Sequence, residues 1–241
     1  MQTNLSVEKR FSDIEYNLET IRKNIDEAAR LSGRKADDIT LMAVTKTVEP
    51  LFINHALKNG VSLIGENKVQ ELLSKYDYLE LDGVDCHIIG HLQTNKVRQV
   101  LPFISTVESL DSLKLAREIS KQAEKLGKTV NCFVEVNIAG EESKSGVAYE
   151  EAYDLITEAA SLPYLNINGL MCVPPFEAEK DELYAYFKKM HGLFIDIKGK
   201  NIDNINMEYL SMGMTGDYRD AIICGANLVR IGSGVFGPRI Y

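Results

Sequence analysis

The sequence predicts a single (β/α)8 barrel preceded by one helix. Three observations carry that expectation. Short apolar runs alternate with amphipathic stretches, which implies a parallel sheet. Eight such runs follow position 39, and eight repeats in about 200 residues suit the lower size range of a closed barrel better than an open doubly wound sheet, which uses fewer strands. No Pro- or Gly-rich linker divides the chain, so residues 1–241 read as one domain, with a helix over 1–33 and the barrel over 39–241.

The elements follow in order. Over 6–31, Phe11, Ile14, Leu18, Ile21, Ile25 and Ala28 recur at three- and four-residue steps, and Gly33 stops the helix. The run 39–45 is too short for a helix and is bounded by charges, so it reads as a buried strand. A helix over 50–58 ends at Gly60. Further strands are expected at 61–64, 87–89, 104–107, 130–136, 166–170, 206–210 and 228–231. Amphipathic stretches at 112–126, 149–161 and 180–192 supply connecting helices.

Composition narrows the function. Hydrophobic residues make up 45% and charged residues 26%, the proportions of a globular core and surface rather than a disordered chain. A net charge of −8 lacks the footprint of a nucleic-acid or anionic-membrane binder. No stretch approaches the roughly 20 apolar residues of a spanning helix, and positions 1–10 lack a signal-peptide core. Cys86, Cys132, Cys172 and Cys224 form no C-x-x-C pair and are expected as free thiols in a reducing cytoplasm. The four histidines have no metal-ligand spacing, so no metal is expected.

Barrel enzymes place their reactive groups at the C-terminal strand ends. The first strand ends in Thr45-Lys46-Thr47. A lysine at the barrel mouth is a candidate amine nucleophile for a carbonyl partner. It equally suits a lysine that reaches solvent or pairs with a carboxylate such as Glu66, and position alone leaves both open. The second and third strand ends add Asn67, a hydrogen-bonding candidate, and His91. The seventh ends in Ser211-Met212-Gly213-Met214-Thr215-Gly216 and the eighth in Gly232-Ser233-Gly234. Barrels often hold phosphate with these two loops, where glycines admit backbone amides and hydroxyls add donors. Arg230, between Val229 and Ile231, faces the barrel interior if its neighbours face the helices. It then requires an acceptor, either a ligand or a carboxylate.

Two leads are set aside. Gly232-x-Gly234-x-x-Gly237 has dinucleotide-binding spacing, but that unit needs a following helix, strand and acidic residue, and the sequence stops at Tyr241. Cys86 and His87 are adjacent on a strand and so point to opposite faces, which argues against a catalytic pair.

The sequence resembles the pyridoxal 5′-phosphate homeostasis proteins, whose fold is like the barrel domain of alanine racemase. The resemblance covers almost the whole chain after the first helix. It rests on six ordered segments, at 43–46, 64–71, 87–96, 136–146, 210–215 and 229–233. It implies that Lys46 holds the cofactor aldehyde as an internal aldimine. It also implies that Ser211, Gly232 and Ser233 cradle the phosphate and that Arg230 lies near the cofactor ring. Asn67, His91, Gly213 and Met214 complete the expected cofactor-binding set. The chain departs from the family at Cys86, where an aromatic is usual, at Ile88, and at Thr45 and Thr215, where serine is usual. Cys86 is expected to alter packing near the mouth.

The resemblance implies a pyridoxal 5′-phosphate carrier that supplies apoenzymes in the cytoplasm, as a monomer, without robust turnover. Two alternatives belong to other classes. An amino-acid racemase needs a second base, which in alanine racemase comes from an added β-domain that the sequence to Tyr241 leaves no room for. A sugar-phosphate aldolase, which the residues suggest without the resemblance, would use Lys46 as its Schiff-base lysine. Arg230 beside the ring nitrogen would weaken the electron sink that a racemase requires.

Overall fold

The computed structural model describes residues 2–141, 144–200 and 202–238, with side chains from residue 6 onward. Glu142 and Ser143, inside the resembling segment 136–146, lie outside the described residues, as do Met1, Asn201 and 239–241.

Helix α1 (Gln2–Leu31) comes first, burying Ile14, Leu18, Ile21, Ile25 and Ala28 on one face, the periodicity expected from sequence. Strand β1 (Thr40–Val44) follows, then α2 (Pro50–Lys58), β2 (Leu63–Glu66), α3 (Val69–Lys75), β3 (Asp85–Ile88), α4 (Thr94–Val100) and β4 (Thr106–Leu110). The second half runs α5 (Leu113–Leu126), β5 (Val130–Asn137), β6 (Val147–Ala148), α6 (Ala152–Ala160), β7 (Leu165–Met171), α7 (Lys180–Gly199), β8 (Ile205–Ser211), α8 (Tyr218–Ile223), β9 (Leu228–Ile231) and α9 (Ser233–Phe236).

Eight of these strands close a parallel ring. Neighbours pair in sequence order from β1 to β5, then β5 with β7, β7 with β8 and β8 with β9, and β9 returns to β1 with Thr40 opposite Leu228. Among the described residues, the two-residue β6 pairs only with the end of β5 and stands outside the ring. The expected (β/α)8 barrel with an additional N-terminal helix is therefore present.

Two apolar layers follow from strand alternation. The larger lies between strands and helices and includes Cys86, Ile88, Val107, Val134 and Ile231. Cys86 packs there rather than at the mouth, which corrects the expectation for it. The smaller fills the barrel with Met42, Leu63, Phe133, Met171 and Leu228. Gly169 is required by this filling, because a Cβ would lie 2.6 Å from the Phe133 ring and 2.7 Å from the Tyr209 carbonyl.

Boundaries shift where local chemistry overrides pattern. Strand β2 begins at Leu63 rather than 61. Helix α7 runs past Gly192, because Leu193, Phe194 and Ile197 continue its buried face and a Cβ at 192 would meet nothing within 4 Å. Helix α5 starts at Leu113, with the Ser112 hydroxyl accepting from the Leu115 amide as its N-cap. Helix α1 braces the end of the fold that carries the site. Asn24 donates to the Tyr218 hydroxyl on α8 at 2.9 Å, and Asn17 to the Val235 carbonyl on α9 at 3.1 Å.

Candidate functional site

The C-terminal strand ends surround a cavity of about 610 Å3. Lys46, which follows β1, Asn67 after β2, Met214 after β8, and Arg230, Gly232 and Ser233 from the β9 end all line it. Six of the nine expected residues thus line one cavity. A smaller compartment of about 220 Å3 shares Val44, Lys46, Gly232 and Ser233 and adds Arg10 from α1.

Three expected residues are not in the lining. His91 is exposed and its Nδ1 sits 3.0 Å from Asp111 Oδ2, in a shallow basin with Ser112, Lys144, Ser145 and Gly146. Ser211 is fully buried. Its hydroxyl donates to Glu108 Oε2 at 2.6 Å and accepts from Arg230 Nη1 at 2.6 Å, so it is spent inside the barrel. Gly213 turns the chain behind the cavity with φ near 94°. Its carbonyl accepts from the Arg230 amide at 3.0 Å, and a Cβ there would lie 2.6 Å from Ala221 Cβ. His91, Ser211 and Gly213 therefore lie outside the cavity lining of this structure. Ser211 is carried inward by β8, and Gly213 packs against Ala221 and Tyr218 just before the lining residue Met214.

Thr215 is the residue that sequence reasoning passed over. It lines the cavity, and its Oγ1 lies 3.3 Å from Ser233 Oγ and accepts from the Gly234 amide at 3.1 Å. A Cβ on Gly234 would lie 2.8 Å from Ile231 Cγ2 and 3.1 Å from Thr215 Cγ2, so glycine is what lets the two loops meet. The available signal was Thr215's place in the same hydroxyl- and glycine-bearing segment as Ser211, one strand-end further out. Val173, Pro174, Pro175 and Phe176 form an apolar rim that no motif marked, with Phe176 97% exposed.

Beneath the cavity a buried polar chain crosses the barrel. Arg230 Nη2 donates to the Cys172 carbonyl at 2.8 Å and Nη1 to Ser211, whose hydroxyl is held by Glu108, whose other oxygen lies 2.7 Å from His87 Nδ1. The sequence argument that Arg230 faces inward and needs an acceptor holds, and protein groups supply it. Two of its five guanidinium N–H groups are committed by these bonds, which leaves donors for a ligand. His87 faces this chain while Cys86 faces the helices, so they form no pair. Burial pushes the Cys172 and Cys86 thiols up to about 12, which keeps them protonated at neutral pH.

Glu135, on β5, is also buried, and its Oε2 has no hydrogen-bond partner. Burial is the largest cause that lifts its carboxyl to about 7. Asp111 raises it further, while Arg230 and His91 oppose the rise.

The donor set suits a phosphorylated carbonyl compound. An amine stands at one side of the cavity, two hydroxyls and two glycines stand at another, and a guanidinium anchored from below lines it. Backbone close to hydroxyls is the usual environment for a phosphate.

Comparison with known proteins agrees with this chemistry. The family model for the alanine racemase N-terminal domain matches residues 16–239. The pyridoxal phosphate homeostasis protein of Aquifex aeolicus is 37% identical over 224 residues, covering 93% of this chain and 97% of its own. A crystal structure of an unknown protein from Bifidobacterium adolescentis superposes with a TM-score of 0.91 at 32% identity, covering 95% of this chain and 96% of that one. PipY of Synechococcus elongatus PCC7942, solved with PLP bound, superposes with a TM-score of 0.81 at 24% identity, covering 93% and 100%, and shares the fold.

Proposed function

The chain belongs to the pyridoxal phosphate homeostasis proteins, built on the alanine racemase N-terminal domain, and from that membership we propose that it binds pyridoxal 5′-phosphate reversibly and passes it to apoenzymes. The observation that supports this most directly is the meeting, on one cavity, of Lys46 from the β1 end with Thr215 and Ser233 from the β8 and β9 ends. When bound, the cofactor supplies an aldehyde to which a lysine amine can bond with loss of water, and which another amine can reclaim.

In this reading Lys46 Nζ is the anchoring amine. Ser233 and Thr215 hydroxyls, with the backbone of Gly232, take the phosphate. Asn67 and Met214 border the ring, and Arg230 presents N–H donors from below. Arginine keeps its protons, so beside a pyridine nitrogen it leaves that nitrogen unprotonated and the ring a poor electron sink. That supports holding over turnover. The four buried thiols, unpaired among the described residues, support a reducing cytoplasm as the place of action. We take the carrier to act as a monomer.

Borohydride reduction of the loaded protein followed by peptide mass spectrometry tests the anchor. Cofactor mass is expected on the Lys46 peptide and is lost in Lys46→Ala; mass on another lysine overturns the assignment. Transfer is tested by adding an apoenzyme to loaded protein and comparing reactivation with free cofactor. The racemase alternative is decided by solvent deuterium entry at the α-carbon of alanine and serine. Enzymes turn over at about 1–1000 per second, and Lys46-dependent exchange in that range would replace the carrier reading.

A further inference from the structure

The strand end that carries Lys46 is held by an apparatus that touches no ligand cavity. Lys75, on α3, is buried, and its ammonium donates to the Thr45 carbonyl at 2.8 Å, the peptide group immediately before Lys46. The same ammonium pairs with Glu66, which is fully buried at the end of β2, and with Glu71 Oε1 at 3.3 Å. Glu71 in turn accepts the Thr47 amide, the group immediately after Lys46, and the Thr45 hydroxyl donates to Glu66. Lys75 and Glu71 are one turn apart on the same helix, so a single rigid element grips the backbone on both sides of Lys46.

The grip acts on a turn that would not choose this shape. Thr47 has φ near 63°, in the left-handed region that β-branched residues avoid. The Val48 amide bonds the Thr45 carbonyl at 3.0 Å, which tightens the turn and directs Lys46 toward the cavity. Lys75 is therefore a shared hub, donating to the carbonyl on one side and paired with the carboxylate that holds the amide on the other.

We propose that Glu71 and Lys75, seated on Glu66, are the positioning residues for Lys46: they fix the strained turn that delivers its amine to the cavity. This rests on the reading of Lys46 as the anchoring amine, but the placement of the amine can be measured without any cofactor. Removing Lys75 would strand two carboxylates, so Glu71 is the better residue to vary. Its side chain is partly exposed, and Glu71→Gln keeps an oxygen that can accept the Thr47 amide, whereas Glu71→Leu does not.

The experiment has three readouts on wild type, Glu71→Leu and Glu71→Gln. The first is the pH profile of Lys46 methylation by formaldehyde and cyanoborohydride, read by peptide mass spectrometry on cofactor-free protein. The second is the rate at which pyridoxal 5′-phosphate becomes borohydride-trappable on Lys46. The third is the affinity for pyridoxamine 5′-phosphate, which has the phosphate and ring but no aldehyde. A displacement of an ångström can slow a positioned reaction by about 100-fold. In Glu71→Leu the Lys46 methylation profile is expected to shift and trapping to slow by about tenfold or more, with pyridoxamine 5′-phosphate affinity within twofold of wild type. Glu71→Gln should restore both profile and rate. An unchanged methylation profile in Glu71→Leu, failure of Glu71→Gln to rescue, or a parallel loss of pyridoxamine 5′-phosphate binding would overturn the proposal. A wild-type protein that takes up neither phosphate compound would instead defeat the cofactor reading, and the methylation profile would still decide the positioning claim.

Discussion

Glu135→Gln should stabilise the protein, and the gain should depend on pH in a defined direction. The Glu135 carboxyl is buried on β5 with Oε2 unpartnered, and its ionised form faces Asp111 as well as Arg230 and His91. Burial chiefly lifts it from an ordinary 4.5 to about 7. At about 1.4 kcal/mol per tenfold, ionising it in the fold costs roughly 3 kcal/mol more than in the unfolded chain. The sign follows from proton counting. Between pH 4.5 and 7 the folded state holds more protons than the unfolded state at this site. Its contribution to stability is therefore full below the unfolded value, falls as pH rises and is lost above about 7. Glutamine keeps the shape and cannot ionise. Urea unfolding of both proteins from pH 4 to 8.5 should give curves that converge at the acid end and diverge through neutrality, with the variant more stable by up to about 3 kcal/mol above pH 7.5. A variant less stable than wild type at pH 8 would show that an ionised Glu135 is held by Arg230 rather than tolerated beside it, and the account of its burial would fail.

Other consequences are as direct. Ser233→Ala and Thr215→Val should each weaken pyridoxal 5′-phosphate binding by about tenfold or more, the value of a hydrogen bond to a charged group, while leaving unphosphorylated pyridoxal unaffected; equal losses for both ligands would remove these hydroxyls from phosphate recognition. Gly169→Ala drives a methyl into the Phe133 ring and the Tyr209 carbonyl, so the urea midpoint should fall by the equivalent of about 1–3 kcal/mol, and an unchanged midpoint would mean the interior is looser than its packing implies. Arg230→Glu should fail to fold at neutral pH by circular dichroism, because it buries a second carboxylate against the Ser211–Glu108 bond; a native spectrum at pH 7.5 would contradict the buried chain described above.

The architecture was legible because each element announced itself through one strong period. The α1 positions Ile14, Leu18, Ile21 and Ile25 are the residues buried, and each apolar run became a ring strand to within a few positions. Lys46, Asn67, Arg230, Gly232 and Ser233 were legible because barrel geometry sends strand ends to one mouth. What escaped was which of two nearby hydroxyls lines the cavity. Ser211 and Thr215 lie in one short segment, and only the inward pleat of β8 and the turn at Gly213 decide that the first is consumed by Arg230 and Glu108. His91 stands outside that lining for a similar reason, since a strand-end residue at the mouth can turn outward to Asp111. The role of Lys75 left no local trace, because a lysine in a short helix looks solvated until Glu66 and the Thr45 carbonyl close over it.

The pairing of β1 with β9 has a consequence for how the protein comes into being. Lys46 follows the first ring strand and Ser233 follows the last, so the two sides of the cavity adjoin along the seam where the ring shuts. During synthesis the chain emerges from its N-terminus, and β1 must wait for residues 228–231 before it acquires its second neighbour. A nascent chain lacking them has Lys46 and Thr215 but neither Gly232 nor Ser233. On the proposed site, cofactor retention then requires completion of the ring, and ribosome-bound fragments that stop short of β9 should retain none. Bound cofactor would then favour the closed ring over one opened at this seam, making saturation with the vitamin a source of resistance to proteolysis there.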